Sequence, residues 1–133
     1  MIKKTITYKD YNDLERTEDF YFHLTKADIT KMEMSVDGGL AERITRIVQA
    51  KDQPAIIAVF EDLIKRSYGV KTSDGRGFLR RPEDLEAFMA TEAYSILFME
   101  LATDADAAAK FVNGIVPADM MKNAKPAIEA AKN

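Results

Sequence analysis

The sequence predicts an α+β fold, mostly helical: an N-terminal β-hairpin packed on a bundle of about five α-helices. Three observations predict it. Residues 2–24 alternate apolar and polar side chains with a period of two, broken once by the turn KDYND. From Lys26 onward the apolar spacing changes to three and four, with capping and proline signals at the boundaries. The stretch TEAYSILFMELATDADAAAKFVNGIVP, Thr91 to Pro117, holds the longest apolar run and the clearest helix stop-and-start signal.

In the first strand Ile2, Lys4, Ile6 and Tyr8 share one face, and Lys3, Thr5 and Thr7 share the other. Lys9 to Asp13 carries turn chemistry, since Asp and Asn bond their own backbone and tolerate left-handed conformations. Glu15 to Leu24 alternates again, with Phe20, Phe22 and Leu24 on one face and Tyr21 and His23 on the other. A lone hairpin is marginally stable, so helices must cover its apolar face.

Thr25 to Asp28 resembles a capping box with Asp in place of Glu or Gln, and opens a helix from Lys26 to about Met34. Ile29 and Met32 share a face, with Met34 near the end. SVDGG, Ser35 to Gly39, breaks it. A second helix is expected from about Leu40 to Lys51, with Leu40, Ile44, Ile47 and Val48 as its apolar stripe. Asp52-Gln53-Pro54 caps a third, Pro54 to Tyr68, whose predicted buried stripe is Ile56, Ile57, Phe60, Leu63 and Ile64. Gly69 is expected to end it as a left-handed cap.

VKTSDGRGFLRR, Val70 to Arg81, loses the helical period and reads as a turn or small hairpin anchored by Phe78 or Leu79. Pro82 opens a fourth helix with Leu85, Phe88 and Met89 inward. After Thr91, Tyr94, Leu97, Phe98 and Leu101 form one helix face, and Ile96 and Met99 lie off it. Thr103 or Asp104 caps the next helix, Phe111 and Val112 anchor it, and Asn113-Gly114 stops it. Ile115, Val116 and Pro117 are expected to dock as an extended strap. The predicted organisation is a compact domain over residues 1–117, with hairpin 2–24 and helices 26–117. A weakly structured or helical tail follows over 118–133.

The 133 residues suit one core, and 47% hydrophobic with 31% charged residues is globular composition. A net charge of −3 gives no general electrostatic case for nucleic acid or an anionic membrane. Cysteine is absent, which removes disulfides, thiolate metal sites and a Cys nucleophile. The N-terminus has no apolar region after its lysines, and uncharged runs are far short of the roughly 20 residues of a membrane span. The expectation is a cytoplasmic protein.

Chemistry-bearing residues are sparse. His23 is the only histidine, with no second ligand at metal-like spacing, and reads as a strand residue facing solvent or a helix. Asp104 and Asp106 are explained by their place in a helix first turn. Gly75-Arg76-Gly77 with Arg80 and Arg81 lacks the Walker pattern. Those arginines pair with Glu83 or Asp84, or with acidic groups on a partner. No nucleophile with a neighbouring base is visible, and the residues predict no enzyme, no cofactor and no metal.

The wording of FEDLIKRSYGVKTSDGRGF (Phe60 to Phe78), of Thr91 to Pro117, and of KKTITYKDYNDLERTEDFYFHLT (Lys3 to Thr25) resembles a family of small phage proteins. These are tail assembly chaperones of siphovirus-type phages and prophages. The resemblance implies a non-enzymatic protein that binds the long, helical tape measure protein, keeps it soluble and helps recruit tail tube subunits. It also implies a homo-oligomer in the host cytoplasm that is absent from the mature virion. The rival readings are a structural tail completion or connector protein, and a small phage inhibitor of a host protein. On the residues themselves, the partner-contact candidates are Ile96, Met99, Arg76, Arg80, Arg81, Met120 and Met121.

Overall fold

The computed structural model describes residues 1–34, 43, 46, 47 and 49–116. The alternating N-terminal residues form β1, Ile2–Lys9, and β2, Glu15–Phe22, paired antiparallel from Ile2↔Phe22 to Lys9↔Glu15. Their turn is held by Asp10. Its carboxylate accepts from the N–H groups of Asn12 and Leu14 at 2.9 and 3.0 Å, and from Arg16 Nε at 2.6 Å. Asp13 takes the left-handed conformation, φ 62°, that Asp tolerates better than most residues. Pairing in this register buries Ile6, Tyr8, Phe20 and Phe22 on one face, as the alternation predicts.

The helices are α1, Lys26–Met34, and α2, Gln53–Ser67; then α3, Pro82–Met89, α4, Glu92–Thr103, and α5, Ala105–Ile115. The capping box at α1 forms in both directions. Thr25 N–H donates to Asp28 Oδ2 at 2.8 Å, and Asp28 N–H donates to Thr25 Oγ1 at 3.1 Å. Asp52 caps α2 through Ala55 N–H, and Asp104 caps α5 through the N–H groups of Asp106 and Ala107. The helix expected over Leu40–Lys51 falls mainly outside the described residues; Arg43, Arg46, Ile47 and Gln49 are helical.

Between α2 and α3 lie β3, Tyr68–Lys71, and β4, Phe78–Leu79. This is the small hairpin the sequence predicts. It does more than cover the core: β3 pairs with β2 through Tyr21↔Gly69 and Phe22↔Tyr68, giving a four-stranded antiparallel sheet in the order β1-β2-β3-β4.

Four local expectations are corrected. Gly69 is not a left-handed cap, because α2 ends at Ser67 and Tyr68 is already extended, φ −66°, ψ 138°. A Cβ on Gly69 would lie 2.6 Å from Phe78 Cε2 and 2.8 Å from Leu79 O, so this glycine is there to let β3 and β4 approach. Asn113-Gly114 does not stop α5, which runs through Ile115; Gly114 instead lets the helix rest against Ile2. The extended backbone therefore starts at Val116 rather than Ile115, while Pro117 lies outside the described residues. Ile57 faces outward at 41% exposure, and Val59 takes the buried place beside Phe60, Leu63 and Ile64.

The core lies between the inner face of the sheet and the helices. Phe88 of α3 is its aromatic hub. Its ring stacks on Tyr68 at 4.5 Å and 13°, and meets Phe20, Phe22 and Tyr94 at 4.9, 5.9 and 5.7 Å. Phe22 also meets Phe111 edge-on at 5.3 Å, which ties sheet to α5. Leu24 N–H donates to Ile115 O at 2.8 Å, closing the end of the hairpin onto the end of α5.

Candidate functional site

Helix α4 is built from two faces. Ala93, Leu97 and Leu101 recur every fourth residue and are buried, with Tyr94 and Phe98 half-buried beside them. Ile96 and Met99 point the other way, 43% and 53% exposed. Their spacing of three puts them together on the outer face of the helix.

The β-hairpin frames that face. Lys4 Nζ of β1 meets Glu100 Oε1 of α4 at 2.8 Å. At the other end Tyr11 of the turn donates its hydroxyl to Glu92 Oε1 at 3.1 Å, and that bond holds the phenol above its ordinary pKa. Between turn and helix runs an open groove of about 450 Å³, lined by Lys9, Asp10, Tyr11, Asp13, Glu92 and Ile96. Tyr11 and Leu14 leave 76% and 60% of their surface in solvent. Apolar side chains are thus offered to solvent on both banks, with charged groups around them. This is the arrangement of a contact surface with an apolar centre and a polar rim.

The candidate arginines are placed elsewhere. Arg80 Nη1 donates to Asp28 Oδ2 at 2.6 Å, linking the end of β4 to α1. Arg81 Nε donates to Asp84 Oδ2 at 2.6 Å, with Glu83 at 3.8 Å, so its ion pair is local to the start of α3. Arg76 sits exposed in the β3–β4 turn, where its N–H donates to Asp74 Oδ1 at 3.1 Å. Ile96 and Arg80 line different pockets. Met120 and Met121 lie outside the described residues.

His23 stands half-buried against Phe78, edge-on at 6.2 Å, and its Nδ1 is buried without a hydrogen-bond partner. Burial holds its pKa below the usual value, helped by the N-terminal amine and Arg80 and opposed by Asp28. Asp104 spends Oδ1 on the first turn of α5. Among the described residues no cluster of His, Asp or Glu is arranged to hold a metal ion, and no helix is long and apolar enough to cross a membrane.

Sequence reasoning did not single out the exposed Tyr11 and Leu14. The signal was present: two large apolar side chains stand inside a polar turn, where neither has a strand face to bury it.

Fold and surface together define a small α+β domain that presents apolar side chains on the outer face of a packed helix. A family model described as phage tail assembly chaperone matches residues 1–133. The chain belongs to the phage tail assembly chaperone family. No curated protein and no solved structure matches the chain.

Proposed function

We propose that this protein assists phage tail assembly by binding the tape measure protein through the outer face of α4 and the neighbouring hairpin turn. The observation that carries the reading is the exposure of Ile96 and Met99 beside Tyr11 on an otherwise well-packed helix. A long helical partner with an apolar stripe matches such a surface as helix-in-groove contact. Met99 adds an adaptable side chain, which suits a surface that must accept successive stretches of one long partner. Covering those stripes keeps the tape measure protein soluble until tail tube subunits replace the chaperone, so the protein acts in the host cytoplasm and leaves before the virion is complete. Arg76, Arg81, Met120 and Met121 belong to the wider contact surface in this reading, and the protein self-associates along the tape measure.

Co-expression with the tape measure protein tests it. The expected result is a rise in soluble tape measure protein and co-purification of the two. Unchanged solubility with no co-purification, or a stable ring of this protein in purified virions, would overturn it in favour of a structural tail component.

A further inference from the structure

A second concave site lies on α1, α2 and the end of β4, separate from the α4 groove. Its volume is about 280 Å³. Leu24 and Met32, both buried in the fold, contribute the apolar part of its lining. Among the described residues its charged lining consists of Lys31, Lys65, Arg66 and Arg80, with Asp28 as the one carboxylate. Among the described lining residues four cations surround one acid, the reverse of a chain whose net charge is −3.

The cations come from two helix ends. Lys31 is in the last turn of α1, and Lys65 and Arg66 are in the last turn of α2, where positive charge offsets the unpaired carbonyls. Lys65 meets Glu61 and Arg66 meets Asp62, each at 2.8 Å and each one turn away on the exposed side of α2. Such exposed pairs contribute little, so both cations exchange readily to an incoming carboxylate. Arg80 is different. It is held by Asp28 through Nη1, and Asp28 is fixed in turn by Thr25. That leaves the remaining guanidinium donors pre-positioned at the pocket.

We infer that this pocket binds an acidic segment of a protein partner, seating carboxylates on Lys31, Arg66 and Arg80 above the small apolar floor that Leu24 and Met32 leave in the lining. The mixed lining selects the ligand. A free phosphate would gain nothing from the apolar part and would face Asp28. A nucleic acid would meet no stacking platform among the described lining residues. An acidic, apolar segment satisfies both halves, and its approach is steered by the local charge. The identity of that partner as the tape measure protein rests on the chaperone reading; the ligand chemistry does not.

The test uses two fluorescent helical peptides with the same leucines, one carrying glutamate and the other lysine at the remaining positions. Anisotropy should show the full chain binding the glutamate peptide, more weakly at raised salt, and not the lysine peptide. Lys31→Glu with Arg66→Glu, both surface changes checked for folding by circular dichroism, should weaken binding by about tenfold or more. Lys3→Glu, an exposed charge reversal on β1 outside the pocket's lining, should leave it unchanged. Equal binding of both peptides, no binding of the glutamate peptide by the wild type, or undiminished binding by the charge-reversed variant would sink the inference. Co-purification of the tape measure protein separates the two readings. If the wild type fails to retain it while the glutamate peptide still binds, the chaperone reading fails and the pocket stands. If wild type and charge-reversed variant retain it equally and the peptide arm is negative, the pocket fails and the chaperone reading stands.

Discussion

Gly114 of α5 lies so close to Ile2 of β1 that a Cβ on the glycine would sit 2.8 Å from Ile2 Cδ1 and 2.9 Å from Ile2 Cβ. Inside a solvated helix, replacing Gly by Ala gains about 1 kcal/mol. Here the added methyl has no room. Gly114→Ala is expected to destabilise the fold by about 1–3 kcal/mol, the usual cost of overpacking. Urea unfolding measures it. In an Ile2→Ala background, which removes the outer atoms of that contact, the same change should cost less. A Gly114→Ala protein more stable than the parent would show that the helix and strand do not meet this closely.

Asp28 serves two partners at once, capping α1 through Thr25 and holding Arg80 at 2.6 Å. Burial opposes its charge, but Arg80 and the Thr25 donors outweigh that and hold its carboxyl below the usual range. Asp28→Ala removes both bonds and should cost about 1–2 kcal/mol, the scale of a lost cap. Thr25→Ala should cost less than Asp28→Ala, because Arg80 keeps its partner. Denaturation of the two variants side by side reads the difference.

His23 gives the fold a pH dependence of known sign. Its folded pKa lies below the ordinary value because burial, the N-terminal amine and Arg80 disfavour the imidazolium. The unfolded chain therefore takes up its proton first as pH falls. The stability linked to His23 is fully present above about pH 6.5 and is lost as pH drops from there toward the folded value. Asp28 acts in a lower window, beginning near about pH 4. Unfolding free energy should fall as pH drops below about 6.5, and His23→Phe should flatten that slope. An NMR titration midpoint for His23 at or above the ordinary value would contradict it.

Ile96 and Met99 separate function from stability. Both side chains are about half in solvent. Replacing both with Glu is expected to change stability by no more than about 0.5 kcal/mol, the range for exposed positions. The same variant should lose co-purification with the tape measure protein. A large fall in melting temperature would mean that these residues are core after all, and retained binding would move the contact off α4.

The sequence by itself determined the elements. Alternation sets the hairpin register, because a slip of one residue would turn Phe20 and Phe22 to solvent. Thr25, Asp52 and Asp104 mark helix starts through bonds to residues two or three positions on, which is local chemistry legible in one dimension. The outer position of Ile96 and Met99 also follows from spacing along a helix. Tertiary structure decided what the glycines are for and which groups meet. Gly69 and Gly114 read as helix ends, since sequence shows only that a side chain is missing; the reason lies in Phe78, Leu79 and Ile2, which the fold brings against them. The joining of two hairpins into one sheet was equally hidden, because Tyr21↔Gly69 pairs residues with no periodic relation. The same holds for the contact surfaces. Tyr11 reaches Glu92, and Arg80 reaches Asp28, only after folding brings distant segments together, and no spacing rule spans such distances.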